Sequence, residues 1–432
     1  MIVVIQETLI ALQRFNVDTS MIKLKGFTSN IVHHDRQLDY NDNPIHTPIY
    51  NSVPYGYKKT QDLMDVFQGK TTGQSYARQS TPTTESLQSM ITQAESGLDS
   101  LVFATGMGAI SATFLSLLKQ GDHLIASRYL FGNSYSLITT LENFGVEITL
   151  VDATDVNQVM AAKQDNTLMV FVETIANPGT QIVDLEAIGD WCEQQKLVYL
   201  VDNTMTSPYL FQAGKVKASL VINSLSKFFC GHGTVLGGAV TETGQFDWTD
   251  YPNIFEPYRK GDYSKWAIKQ IKKKSLRDMG GSLSSDAAYQ IAVGAETMAL
   301  RMDRSCANAL ALAQMLDAHD KVAAVYYPGL VSHPQHDKAS RLFKHYGSIL
   351  SFDLKDGYDC AELLDAIDIV INATHLGDNR TLALPMASTI FYEMGAENRA
   401  KSGISEQMIR CSIGIEDTDD LLASFDTGLE AL

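Results

Sequence analysis

The sequence predicts an α/β protein: a largely parallel sheet with helices on both faces, followed by a smaller α+β unit. Three observations predict it. From about Thr83 to Ser226, short β-branched runs bounded by turn residues alternate with segments of helical apolar spacing, the pattern of a parallel sheet built from βαβ units. A long helical pattern from Asp286 to His319 then precedes a second, shorter set of strands and helices. The chain of 432 residues is also too long for one ordinary core. The expected divisions are residues 1–75, 76–285 and 286–432.

Residues 1–75 are polar and full of turn formers, as in "NDNPIHTPIYNSVPYGY". With little core of its own, this segment reads as an arm that leans on another surface. Its start, "MIVVIQETLIALQRF", has no basic leader and is broken by Gln6 and Glu7. It reads as a short amphipathic helix or interaction arm, not as a signal peptide or membrane span. A helix follows in "PTTESLQSMITQAE", with apolar spacing at Leu87, Met90 and Ile91. "SLVFATGMGAISATFLSLLKQG" is a strand, a glycine-containing turn and a helix. "DHLIAS", "VEITLVD", "TLMVFVET", "LVYLVDNT" and "ASLVINSLS" read as strands, and "YSLITTLENFG" and "DLEAIGDWCEQQK" as helices. Residues 245–285 read as turn-rich. The last unit contains "SILSFDLKDG", a helix "AELLDAI", "DIVINATHLG" and a terminal strand and helix.

Composition excludes several function classes. Apolar residues make up 45% and charged residues 19%, the balance of a soluble globular protein. The net charge of −16, from 50 acidic against 34 basic residues, opposes binding to nucleic-acid phosphates. The one basic cluster, "KWAIKQIKKKSLRD", reads as a solvated helix face. Five scattered cysteines, never spaced as CxxC, give no disulfide framework or zinc site and fit a reducing cytoplasm. The longest apolar runs are too short to span a membrane. "QGKTTG" lacks the leading glycine of a phosphate loop, where Met64 stands. "GHGTVLGG" has the wrong glycine spacing for a dinucleotide fingerprint. His33, His34, His333 and His336 lie in turn-rich segments and read as surface histidines, so no metal site is expected. There is no Gly-x-Ser-x-Gly elbow.

What is left converges on one site. In a doubly wound sheet, ligands sit outside the carboxyl ends of the strands, and Thr105, Glu173, Asp202, Ser226 and Lys227 all fall at such ends. In "FATGMGAI" a strand turns into a helix, and free N–H groups with the positive helix end make an anion cradle. Asp202 ends an apolar strand, and Lys227 ends the next one 25 residues on. A strand-end lysine that forms a Schiff base and an aspartate that keeps a pyridine nitrogen protonated are the partners of pyridoxal phosphate.

The motifs "YARQSTPT", "GMGAI", "ETIANP", "VDNT", "SLSKFFCGHG", "GAETMALRM", "YPGL" and "RCSIGIEDTDDL" run through the chain from about residue 30 to the end. In them the chain resembles the pyridoxal-phosphate enzymes of cysteine and methionine metabolism: cystathionine γ-synthase, methionine γ-lyase and the homoserine-ester sulfhydrylases. The resemblance implies fold type I, with a mostly parallel seven-stranded sheet in a cofactor-binding large domain and a smaller C-terminal α+β domain. It implies that Lys227 holds pyridoxal 5'-phosphate and moves protons, that Asp202 pairs with the pyridine nitrogen and that Asn177 contacts the ring hydroxyl. Gly106, Met107, Ser224 and Ser226 would bind the phosphate. Tyr76 and Arg78 would reach the phosphate of a neighbouring subunit, with Tyr76 also catalytic. Arg410 would clamp the substrate carboxylate, a task for a bidentate fork. The family's usual assembly is a homotetramer of two dimers with active sites shared across each dimer, in which residues 1–75 would serve subunit contacts.

Four departures from the family pattern stand out. Phe131, in "LFGNSYS", replaces a tyrosine that stacks on the cofactor; phenylalanine can stack but cannot donate a proton. His375 stands before "LGD" where lyases often carry serine, and is assigned to substrate binding. "SLSK" replaces the commoner Ser-x-Thr-Lys, and "STP" replaces Asn-Pro in the arginine motif. The resemblance therefore implies γ-replacement on an O-acylhomoserine by sulfide or a thiol. Methionine or cystathionine γ-elimination is the alternative, and a non-catalytic protein keeping the fold is a remote one.

Overall fold

The computed structural model describes residues 24–37, 40 and 42–432. The reading of Met1–Phe15 as a helix or arm lies outside the described residues. Seven strands form the large sheet: β1 (Asp99–Phe103), β2 (His123–Ser127), β3 (Glu147–Val151), β4 (Thr167–Glu173), β5 (Val198–Asp202), β6 (Leu220–Asn223) and β7 (Gly238–Glu242). Their order is β1-β7-β6-β5-β4-β2-β3. All neighbours are parallel except β7, which runs antiparallel between β1 and β6. The expected seven-stranded, mostly parallel sheet is present.

Strand residues alternate between two buried layers. Val102, Val170, Val172, Tyr199 and Val201 face one set of helices, which includes Pro82–Glu95 and Leu185–Gln195. Phe103, Met169, Phe171, Val198 and Leu200 face the other, which includes Gly106–Leu117 and Trp266–Ile271. This is the two-residue period of a strand covered on both sides.

A second sheet is built from β8 (Val322–Tyr326), β9 (Ile349–Leu354), β10 (Ile371–Asn372), β11 (Leu382–Pro385) and β12 (Met408–Ser412), in the order β10-β11-β12-β9-β8. It packs against the helices Met298–Asp317, Cys360–Ala366 and Thr418–Ala431 through a core of its own. Among the described residues, no helix is long and apolar enough to cross a membrane.

Three expectations need correction. The pattern from Asp286 to His319 is two helices, Ser285–Glu296 and Met298–Asp317, broken at Thr297. The Gly294 carbonyl, which a continuous helix would bond to residue 298, accepts instead from Arg301 Nη2 at 2.7 Å and from the Thr297 N–H and hydroxyl, both at 3.3 Å. Residues 245–285 are not turn throughout: a helix from Trp266 continues through a π-helical turn, Lys272–Leu276, to Met279. Its apolar face, with Ile268, Ile271 and Leu276, is buried, while Lys269 is exposed and Lys272, Lys273 and Lys274 are half-buried. Finally, His34 is buried, not superficial, and its Nε2 donates to the Ser86 carbonyl at 3.0 Å. It pins the short helix Phe27–Val32 and its exit against helix Pro82–Glu95.

Candidate active site

The carboxyl ends of β1, β4, β5 and β6 open into a cavity of about 240 Å³, closed from the other side by β12 and the chain leading into β11. Thr105 caps helix Gly106–Leu117, its hydroxyl accepting from Gly108 N–H at 2.9 Å. The Gly106 and Met107 N–H groups are left as open donors of the first turn. A Cβ on Gly106 would lie 2.9 Å from the Ser224 side chain, so only glycine lets the cradle and the lysine loop approach this closely.

The loop after β6 carries Ser224, Ser226 and Lys227. Thr204 ties it to β5: its hydroxyl accepts from Ser224 N–H at 2.8 Å, and its own N–H donates to Asp202 Oδ1 at 2.9 Å. Sequence reasoning did not single out Thr204, although an Asp-x-Thr spacing after a strand signals an Asx turn. The Ser226 hydroxyl is already engaged, donating to Gly237 O at 3.2 Å and accepting from Gly237 N–H at 2.9 Å. Past Lys227 the loop lies on Arg301, which donates to the Phe228 and Phe229 carbonyls at 2.8 and 3.2 Å. Gly231 has φ +72°, and a Cβ there would sit 1.9 Å from Arg301 Nη1, so glycine is required on both counts.

Lys227 Nζ donates to His375 Nδ1 at 3.3 Å. Burial, helped by the Arg410 cation, pulls the Lys227 amine down to about 8. Burial and the neighbouring Lys227 hold the His375 imidazole at about 4, so the ring is neutral near pH 7. Arg410, in β12, is 1% exposed. Its Nη2 donates to the Thr374 and His375 carbonyls at 3.2 and 3.0 Å, while Nε is buried without a partner.

Two carboxyls end adjacent strands. Burial raises Asp202 to about 6. Glu173 is pushed well above the usual carboxyl range, first by burial and then by Asp202. Glu173 Oε1 accepts from the Phe131 N–H at 2.7 Å, which fixes the N-cap of helix Gly132–Glu142 and, with it, the Phe131 ring on the cavity wall.

The structure thus brings together Gly106, Met107, Phe131, Asn177, Asp202, Ser224, Ser226, Lys227, His375 and Arg410. It does not bring in Tyr76 and Arg78. Tyr76 is 44% exposed, the Arg78 guanidinium lies over its ring at 5.1 Å, and both are outside the cavity of their own chain.

Comparison with known proteins agrees with this geometry. The sequence profile of the family described as Cys/Met metabolism PLP-dependent enzyme matches residues 28–430. An L-methionine gamma-lyase of Fusobacterium nucleatum subsp. polymorphum is 34% identical over 389 residues, 89% of this chain and 93% of that protein. An O-acetyl-L-homoserine sulfhydrylase of Corynebacterium glutamicum is 30% identical over 433 residues, 96% of this chain and 99% of that protein. A Campylobacter jejuni protein whose crystal structure holds N'-pyridoxyl-lysine-5'-monophosphate superimposes with a TM-score of 0.88 at 29% identity, covering 94% of this chain and 100% of that one. The architecture is that of the fold type I enzymes that use pyridoxal phosphate. Fold, cavity and matched sequence agree, and the chain belongs to the PLP-dependent enzymes of cysteine and methionine metabolism.

Proposed function

We propose that the protein catalyses γ-replacement on an O-acylhomoserine, releasing the carboxylic acid and adding sulfide or a thiol to form homocysteine, or cystathionine when cysteine is the acceptor. Three features support the cavity as the seat of pyridoxal 5'-phosphate. Asn177 Oδ1 and Arg410 Nε are buried polar atoms without partners among the described residues. The cradle at Gly106 offers open N–H groups to a phosphate beside Ser224. Among the described residues, the buried Asp202 carboxyl has no ion-pair partner at the end of its strand. When bound, the cofactor supplies an electron sink for the α-carbon of an amino acid.

The residues around it then have separate tasks. Lys227 would hold the cofactor and carry protons between substrate carbons, and an amine near 8 has an appreciable neutral fraction for this at neutral pH. Arg410 would take the substrate carboxylate on its open Nε edge, with His375 beside it fixing the free lysine amine. Asp202 would face the ring nitrogen and Asn177 the ring hydroxyl; Gly106, Met107 and Ser224 would hold the phosphate, and Ser226 would join them by turning its hydroxyl away from the Gly237 carbonyl.

The observation that carries the choice of reaction is Phe131. The Phe131 side chain on the cavity wall has no hydroxyl to protonate a leaving group. A carboxylate is a weak base and departs without that help, whereas a thiolate departs less readily. The similarity to methionine gamma-lyases favours γ-elimination as the second reading. A product assay with O-acetylhomoserine, O-succinylhomoserine, cystathionine and methionine, each with and without sulfide, tests both. Turnover of methionine or cystathionine with neither ester used would overturn the replacement reading.

The same proposal includes the assembly. Tyr76 and Arg78, stacked on each other outside their own cavity, suit a site shared across a dimer, with two dimers in a homotetramer and residues 1–75 in subunit contacts. It also retains residues 76–285 and 286–432 as large and small domains, and the cytoplasm as the compartment, in keeping with five buried free thiols.

A further inference from the structure

We propose that Glu173 and Asp202 act as one titrating pair carrying a single negative charge, in which Glu173 keeps the proton and fixes the wall facing the cofactor ring. This rests on Asp202 being the partner of the ring nitrogen, as read above; Glu173 acts through Asp202 and Phe131 and is a positioning residue.

The geometry comes from the sheet. β4 and β5 are parallel neighbours, and Glu173 is the register partner of Asp202. Paired residues on adjacent strands leave the sheet on the same face, with backbones about 4.8 Å apart. Both side chains line the cavity, Glu173 at 6% and Asp202 at 9% exposure. The charged groups facing them belong to other elements and are used elsewhere. Arg410 of β12 donates to the Thr374 and His375 carbonyls, and Lys227 after β6 donates to His375, which is neutral. Each carboxyl receives one backbone N–H, Glu173 from Phe131 and Asp202 from Thr204.

Two buried carboxylates side by side without a cation do not both ionise; they share a proton. Asp202 has the environment better suited to charge, because the Thr204 turn holds its oxygen. Glu173 accepts the Phe131 N–H through one oxygen and carries the shared proton on its carboxyl beside Asp202. The ring nitrogen, when cationic, then meets one negative charge and is neutralised one for one. The same carboxyl that regulates this charge anchors the backbone of Phe131, so charge and ring position are set together.

Two measurements on the full-length protein test this without assaying turnover, so that they stand even if the replacement reading fails. The first is the infrared difference spectrum between wild type and Glu173→Gln at about pH 7.5, with and without pyridoxal phosphate; a protonated carboxyl C=O band should be lost in the variant. Loss of a carboxylate band instead overturns the proposal. The second is the pyridoxal-phosphate dissociation constant. Glu173→Gln retains an acceptor for Phe131 and the neutral charge, so its affinity should stay within about fivefold of wild type from about pH 6.5 to 8. A larger loss overturns the single-charge assignment. Glu173→Ala should weaken binding by more than about tenfold, because the Phe131 N–H is left buried without an acceptor. An alanine variant that binds like wild type overturns the positioning role.

Discussion

Two buried arginines flank the lysine loop and are used in opposite ways. Arg301, 7% exposed, has every nitrogen engaged: Nη1 on Phe228 O, Nη2 on Phe229 O and Gly294 O, and Nε on the Thr297 hydroxyl at 3.2 Å. Arg410 is more deeply buried, yet uses only Nη2 and leaves Nε without a partner. Burial lowers both guanidinium groups to about 10. The difference lies in what remains open. A buried cation with all its donors satisfied supports the structure, while one with an open edge is held ready for something that arrives later.

The largest effect on stability is expected at Arg301. Arg301→Met leaves several carbonyls under the lysine loop without donors and should cost about 3–5 kcal/mol of stability, read from urea unfolding of the cofactor-loaded protein. Arg410→Met should do the reverse. On the proposed reading it loses the substrate carboxylate and lowers kcat/KM by about 100- to 1000-fold. Its unfolding midpoint should stay or rise, because an incompletely paired buried charge is removed. If both variants unfold equally early, the distinction between the two arginines is wrong.

Arg410 also acts on Lys227. Because the amine is lowered to about 8, its neutral fraction in the apoprotein grows as pH rises through that value. Acylation of Lys227, followed by mass spectrometry, should have its midpoint there. Arg410→Met removes a neighbouring cation and should move the midpoint to higher pH; no movement would show that burial acts alone. The smallest effect is expected at Phe131. Phe131→Tyr restores a possible proton donor and should raise elimination from cystathionine or methionine relative to ester replacement by roughly tenfold, read from the product ratio.

Much of this was legible in the sequence because the physics involved is local. Strand ends followed by turns put Asp202 and Lys227 on one rim, and a Thr-Gly-Met turn before a helix marked the anion cradle. What escaped depends on contacts between distant segments. β7 has an unremarkable sequence after a glycine-rich stretch, and nothing local shows that it inserts antiparallel between β1 and β6. At the break, Arg301 and Thr297 together occupy the Gly294 carbonyl, which helical periodicity does not register. Glu173 was visible as a strand-end carboxylate, but only strand register places it against Asp202, and only the fold gives it the Phe131 N–H.

The stacked Tyr76 and Arg78, outside their own cavity, carry a consequence for the activity counted per chain. If they complete a partner's site, no single chain holds a working centre, and specific activity becomes a function of protein concentration. Dilution below the dimer dissociation constant would silence chains that remain fully folded. Mixing a variant that lacks Lys227 with one that lacks Arg78 would restore turnover neither has alone, since a hybrid dimer contains one intact set.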